Sequence, residues 1–181
     1  MMVITDKAAS LYKTASISDE PLLESQMRLV APMISTATPD IRPDDRKVLE
    51  LLGLRGRPGR IDLVEALRQG LPSSTFQRAA ERAGVSREEA IRVLRLARAS
   101  VFRKVAARRL LDPDESQKVV RLARAVLLAE YVLEDRDRGQ AWLTEPVPAL
   151  GGQRPIDLLD TDEGARAVEE TLLRLEYGML A

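Results

Sequence analysis

The chain has 181 residues, and Leu, Ala, Arg and Glu supply 87 of them, a mix that favours helices. It contains no Cys and no His, which excludes disulfides, iron–sulfur and Cys/His zinc sites, Ser-His-Asp and Cys-His hydrolases and any histidine general base. The formal charge is zero, yet residues 55–111 carry 14 Lys/Arg against 5 Asp/Glu and residues 112–181 carry 8 against 15, so a basic middle joins an acidic end.

Residues 1–40 hold small and polar side chains around one apolar stretch, Pro21 to Ile34, and read as a leader with one short helix. The acid at Asp6 stands where a secretory signal needs apolar residues, and no segment reaches 18 consecutive apolar residues. A cytoplasmic protein without a membrane partner is expected. Pro43 to Leu52 reads as a helix with Pro in its first turn, stopped at Gly53, and residues 53–60 read as a linker, so residues 1–60 form a partly disordered leader and linker.

From Ile61 the helix signals become regular. Asp62 to Gln69 is closed by Gly70, Ser74 with Gln77 opens a second helix that ends at Gly84, and Ser86 with Glu89 forms a capping box for a third. Asp112-Pro-Asp-Glu115 is the clearest start: an Asp cap, Pro at the first helical position, and acids at the positive end of the macrodipole. The helix it opens is expected to run to about Glu134, with Val119, Leu122, Ala123, Val126, Ala129 and Leu133 on one stripe. Val120, Leu127 and Tyr131 lie off that stripe and predict a second partner, most simply another copy in a homodimer. Residues 144–155 read as a loop, Pro155 to Leu159 as one helical turn, and Thr161 caps a last helix that buries Ala165, Val168, Leu172 and Leu175 and stops at Gly178. No alternating pattern of useful length occurs, so the fold class is all-α.

Within residues 61–111, the spacing from Arg87 to Val105 fits a helix-turn-helix. Ala90 and Leu94 face inward on the first helix, Leu96 anchors the turn, and Val101 and Val105 face inward on the second. At 100° per residue, Val101, Phe102, Val105 and Ala106 share one side, while Ser100, Arg103, Lys104 and Ala107 share the other. The candidate DNA contacts are Arg98, Ser100, Arg103 and Lys104, with double-stranded operator DNA as partner. Arg95 occupies the turn position where the left-handed backbone favours Gly. A basic helical bundle without DNA binding remains the alternative.

The segment from Ala141 to Glu169 and the Tyr177-Gly178 that follows it carry an ordered set of landmarks: Trp142-Leu143, a proline loop, Leu150-Gly-Gly152, Pro155-x-x-Leu-Leu159, Thr161-x-x-Gly164 and the terminal Tyr-Gly. This set resembles the toxin-binding domain of Xre/MbcA/ParS-type antitoxins, and Leu94 to Lys104 with Leu111, Glu115-Ser116 and Arg121-Leu-Ala-Arg124 resembles the same family's Xre-like region. In that pattern Arg95 replaces a glycine and Ser100 a threonine. The resemblance implies an Xre-like helix-turn-helix followed by a small helical dimerisation and toxin-binding domain at residues 112–181. It also implies a type II antitoxin that neutralises a RES-domain, NAD-consuming toxin encoded by an adjacent gene and represses its own operon. It places the C-terminal end, Tyr177, Gly178, Met179, Leu180 and Ala181, at the toxin.

Two other readings compete. A stand-alone helix-turn-helix regulator would use its acidic half only to dimerise. An enzyme would have to work with Asp157, Asp160 and Asp162, which are close in sequence but have no base, metal set or phosphate loop beside them. No catalytic residue, metal site or cofactor is therefore expected.

Overall fold

The computed structural model describes residues 43–54 and 60–178. Among them the chain forms α1 (Asp45–Leu51), α2 (Arg60–Gln69), α3 (Ser74–Arg82), α4 (Arg87–Val93), α5 (Arg98–Ala106), α6 (Pro113–Val132), α7 (Arg136–Thr144), the 3-10 turns η1 (Pro148–Leu150) and η2 (Pro155–Leu158), and α8 (Asp162–Glu176). The fold is all-α. The expected leader helix in residues 21–34 lies outside the described residues.

Local signals account for most helix starts. Asp112 Oδ1 accepts from Glu115 N–H at 2.8 Å and Glu115 Oε2 accepts from Asp112 N–H at 3.0 Å, a complete capping box for α6. Thr161 Oγ1 accepts from Gly164 N–H at 3.1 Å to open α8. Three expectations change in detail. Pro43 precedes α1 rather than entering it, because the Asp44 carboxylate caps the helix by accepting from Arg46 N–H at 3.3 Å. Ser74 is already helical, and Ser73 before it donates its hydroxyl to Lys104 O in α5 instead of capping. At α4 only half of the box forms: Ser86 Oγ accepts from Glu89 N–H, but the Glu89 carboxylate faces Arg92 and Arg154, whose charge-assisted bonds outweigh a neutral N–H.

α6 is the central helix. It packs against α1, α2 and α3, and also against α7 and α8. Val119, Leu122, Ala123, Val126 and Ala129 are buried as the stripe predicts, Leu133 at its end is only half-buried because the helix stops at Val132, and one continuous core joins the buried five to Leu63, Phe76, Leu94, Leu111, Leu143, Ile156, Leu159 and Leu172. Wrapping on two sides also corrects the expectation for Val120, which is 2% exposed and buried by this chain's own helices. Leu127 is half-buried, whereas Tyr131 is 50% exposed. Burial of each Val, Leu, Ile or Phe side chain in this core contributes about 1.5–3 kcal/mol.

Candidate nucleic-acid and partner surfaces

Two consecutive corners share one geometry. After α3 the chain runs Ala83, Gly84 at φ +73, Val85, Ser86; after α4 it runs Leu94, Arg95 at φ +46, Leu96, Ala97. In each, the apolar residue donates its N–H back to a helix carbonyl, Val85 to Ala80 O at 3.1 Å and Leu96 to Ile91 O at 2.9 Å, the bond of a Schellman motif. Gly84 takes the left-handed conformation without a Cβ penalty, whereas Arg95 bears a cost of about 1–2 kcal/mol. Arg95 Nε lies 2.8 Å from Asp160 Oδ2, whose side chain is only 10% exposed.

Ala90, Leu94, Leu96 and Val101 are buried at the α4–α5 corner, as the spacing predicts, and Val105 is half-buried. On the outer face, Arg98 is exposed with its guanidinium carbon 5.5 Å from the Phe102 ring centroid, a cation–π contact that holds the side chain along the helix. Ser100 is half-buried, and Arg103 is exposed without an ion-pair partner among the described residues. Lys104 points elsewhere. Its side chain is 18% exposed, and Nζ lies 2.5 Å from Glu115 and 3.1 Å from Asp112 at the start of α6. Burial acts to lower the Lys104 pKa, but the bonds from Glu115 and Asp112 together hold it above the usual amine value. Burial likewise acts to raise Asp112, and the Glu115 N–H and the Lys104 ammonium outweigh it, leaving that carboxyl below the usual range. The helical wheel of α5 shows neither acid, because both belong to the next helix. Arg108 and Arg109, a basic pair just past α5, are also exposed.

The C-terminal landmarks acquire structural reasons. Leu143, Ile156 and Leu159 are fully buried, Pro155 is buried, and Trp142 packs half-buried against the core. A Cβ on Gly164 would stand 2.0 Å from Leu158 O, so the turn from η2 into α8 tolerates no side chain there. Arg154 forks onto Asp157 at 2.7 and 2.9 Å and also reaches Glu89 in α4 at 2.9 Å. Those bonds to Arg154 hold Asp157 below the usual carboxylate range and Arg154 above the usual guanidinium value. The three carboxylates of the enzyme reading thus bind different arginines: Asp157 with Arg154, Asp160 with Arg95, and Asp162 with Arg121. Among the described residues no group of acids is arranged to hold a metal, and no helix is long and apolar enough to cross a membrane.

α8 ends at Glu176, and Tyr177 follows as a 39% exposed cap residue with Gly178 at φ +63. Met179, Leu180 and Ala181 lie outside the described residues. Leu127 sits in a cleft with Leu51, flanked by Lys47, Arg78, Arg82 and Arg136 and by Glu50 and Glu81.

Residues 62–124 match the antitoxin Xre-like helix-turn-helix domain, and residues 128–178 match the antitoxin Xre/MbcA/ParS C-terminal toxin-binding domain. Over these two spans the chain is similar to antitoxins of the Xre/MbcA/ParS type. Three residues of α6 separate the two matched spans, and the second ends at Gly178. Over 41 residues the chain is 51% identical to a protein of Sphingobium sp. (strain YBL2) named Prs ADP-ribosylating antitoxin. That match covers 23% of this chain and 26% of the relative, so the chain spans about a quarter of that curated relative's length.

Proposed function

We propose that this protein is the antitoxin of a type II toxin–antitoxin system, neutralising its toxin by direct binding through residues 112–181 and repressing its operon through the basic region 61–111. The observation that carries the reading is the order of the two matched domains on one chain, helix-turn-helix first and toxin-binding domain second. The partner is a RES-domain toxin that consumes NAD⁺. The relative's name pairs an antitoxin with ADP-ribosylation, a transfer that draws its ADP-ribose from NAD⁺. An acidic domain suits the electropositive cleft that a pyrophosphate-bearing dinucleotide requires.

In this reading the protein performs no chemistry: Tyr177 and the residues after it reach the toxin, while Arg98 and Arg103 face the operator and the left-handed corner at Arg95 sets the angle of α5. A homodimer places two such helices on two half-sites. The deciding experiment is co-expression with the product of the adjacent gene. A toxic neighbour rescued by this chain, co-eluting with it on size exclusion and leaving cellular NAD⁺ intact, is the expected result. A non-toxic neighbour with which it does not associate overturns the antitoxin reading and favours the stand-alone regulator.

A further inference from the structure

Between α5 and α6 the backbone is clamped from both sides. Arg108 turns left-handed at φ +50 and donates its N–H to Val105 O at 3.2 Å; Arg109 donates to Lys104 O at 2.9 Å and accepts from Ser73 N–H at 3.1 Å; Leu111 donates to Leu71 O at 2.7 Å. This segment therefore presents its side chains from a rigid mount. A left-handed position after a helix favours Gly or Asn, so the turn itself gives no reason for a long cation at 108. Both guanidinium groups are exposed, and neither has an ion-pair partner among the described residues.

The local charge is not cancelled. α5 contains no acid, and the acids that open α6 are matched within the fold: Asp112 and Glu115 by Lys104, and Asp114 by Lys118 at 3.1 Å. Arg98, Arg103, Arg108 and Arg109 are left as a run of unmatched cations along α5 and past its end. We propose that Arg108 and Arg109 form a phosphate clamp for double-stranded DNA at the C-terminal end of α5, and that Lys104 is a positioning residue that sets α5 against α6 rather than a DNA contact. The inference rests on the reading of α5 as the DNA-facing helix. It moves the phosphate contacts from the middle of the helix to its end, where backbone bonds rather than side-chain packing hold them in register.

The test is fluorescence anisotropy of the full chain with two short labelled duplexes, one from the DNA upstream of its gene and one of unrelated sequence, titrated across a salt series. Arg108→Ala/Arg109→Ala is expected to weaken binding to both duplexes by a similar factor and to shrink the log–log salt slope by about 2, with the unfolding midpoint unchanged. Lys104→Met is expected to lower the unfolding midpoint while keeping the wild-type slope, and Lys104→Arg to restore the midpoint. If the double variant keeps the wild-type slope while Arg103→Ala shrinks it, the clamp is wrong and the reading of α5 stands. A double variant that loses stability but not slope assigns the arginines to the end of the helix dipole instead. A Lys104→Met slope reduced by about 1 at an unchanged midpoint makes Lys104 a phosphate contact. Failure of the wild type to bind either duplex overturns the α5 reading and the clamp together.

Discussion

Arg95 and Asp160 meet at 2.8 Å across the boundary between the helix-turn-helix corner and the turn that leads into α8. The same arginine holds a left-handed backbone at φ +46, so one residue combines a local cost with a long-range contact. Replacing it separates the two. Arg95→Gly relieves about 1–2 kcal/mol of backbone strain but leaves the largely buried Asp160 carboxylate without its partner, a loss of similar size, and its unfolding free energy is expected to stay within about 1 kcal/mol of wild type because the two offset. Arg95→Ala keeps a Cβ at positive φ and loses the pair, and is expected to be less stable than Arg95→Gly by about 1 kcal/mol. Urea unfolding of the two variants side by side checks the order.

Gly164 faces Leu158 O so closely that a methyl group must displace either α8 or η2. Gly164→Ala is expected to cost about 1–3 kcal/mol and to weaken toxin binding more than DNA binding, since α8 carries Tyr177 while α5 lies in the other matched domain. Thermal unfolding with parallel toxin and operator titrations reads both effects. Equal loss on the two ligands would show global unfolding instead.

The pH dependence of stability follows from Asp112, Asp157 and Lys104. Both carboxyls are held below their usual range, so their contribution is full above the ordinary carboxylate pKa of about 4 and is lost as pH falls through the lowered values. Lys104 is raised, so its contribution is full below the ordinary amine value of about 10.4 and is lost only as pH rises past it. With no His to titrate between them, the unfolding midpoint is expected to stay flat from about pH 5 to 9 and to fall below about pH 4. Asp157→Asn should soften the acid limb. A midpoint that slopes across neutral pH would point to a different set of groups.

Removing Tyr177 to Ala181 should separate neutralisation from repression. The buried face of α8 ends at Leu175, so the fold and operator binding are expected to survive, while, on the proposed role of Tyr177 at the toxin, toxin binding is expected to weaken at least about tenfold. Rescue of toxin-expressing cells, measured at matched protein levels, gives the outcome; full rescue assigns neutralisation to the body of the domain.

Tyr131 is the large exposed residue of α6, and Leu127, one turn before it, sits in a cleft lined by both cations and acids. If a two-fold interface uses this face, Tyr131→Glu gives a folded monomer by light scattering and weakens operator binding, since two half-sites need two copies. A dimer that persists in Tyr131→Glu places the interface elsewhere.

The sequence alone determined most of the helix starts and the lack of any Cys or His chemistry. Asp112 with Glu115, Thr161 with Gly164, and the left-handed corner at Arg95 are all local devices, complete within a few residues, so composition and spacing suffice to read them. The ordered landmarks from Trp142 to Gly178 were legible for the same reason, since most of them are caps, turns and the buried side chains beside them. Tertiary structure alone decided which way the charges point. Lys104 turns to Asp112 and Glu115 on the next helix, Glu89 abandons its own N-cap for Arg154, Arg95 finds Asp160, and Val120 is covered by helices on both sides of α6. A long cationic side chain has several partners within reach of any helical wheel, and the one it takes depends on which elements pack beside it, a property of the core rather than of the neighbouring sequence.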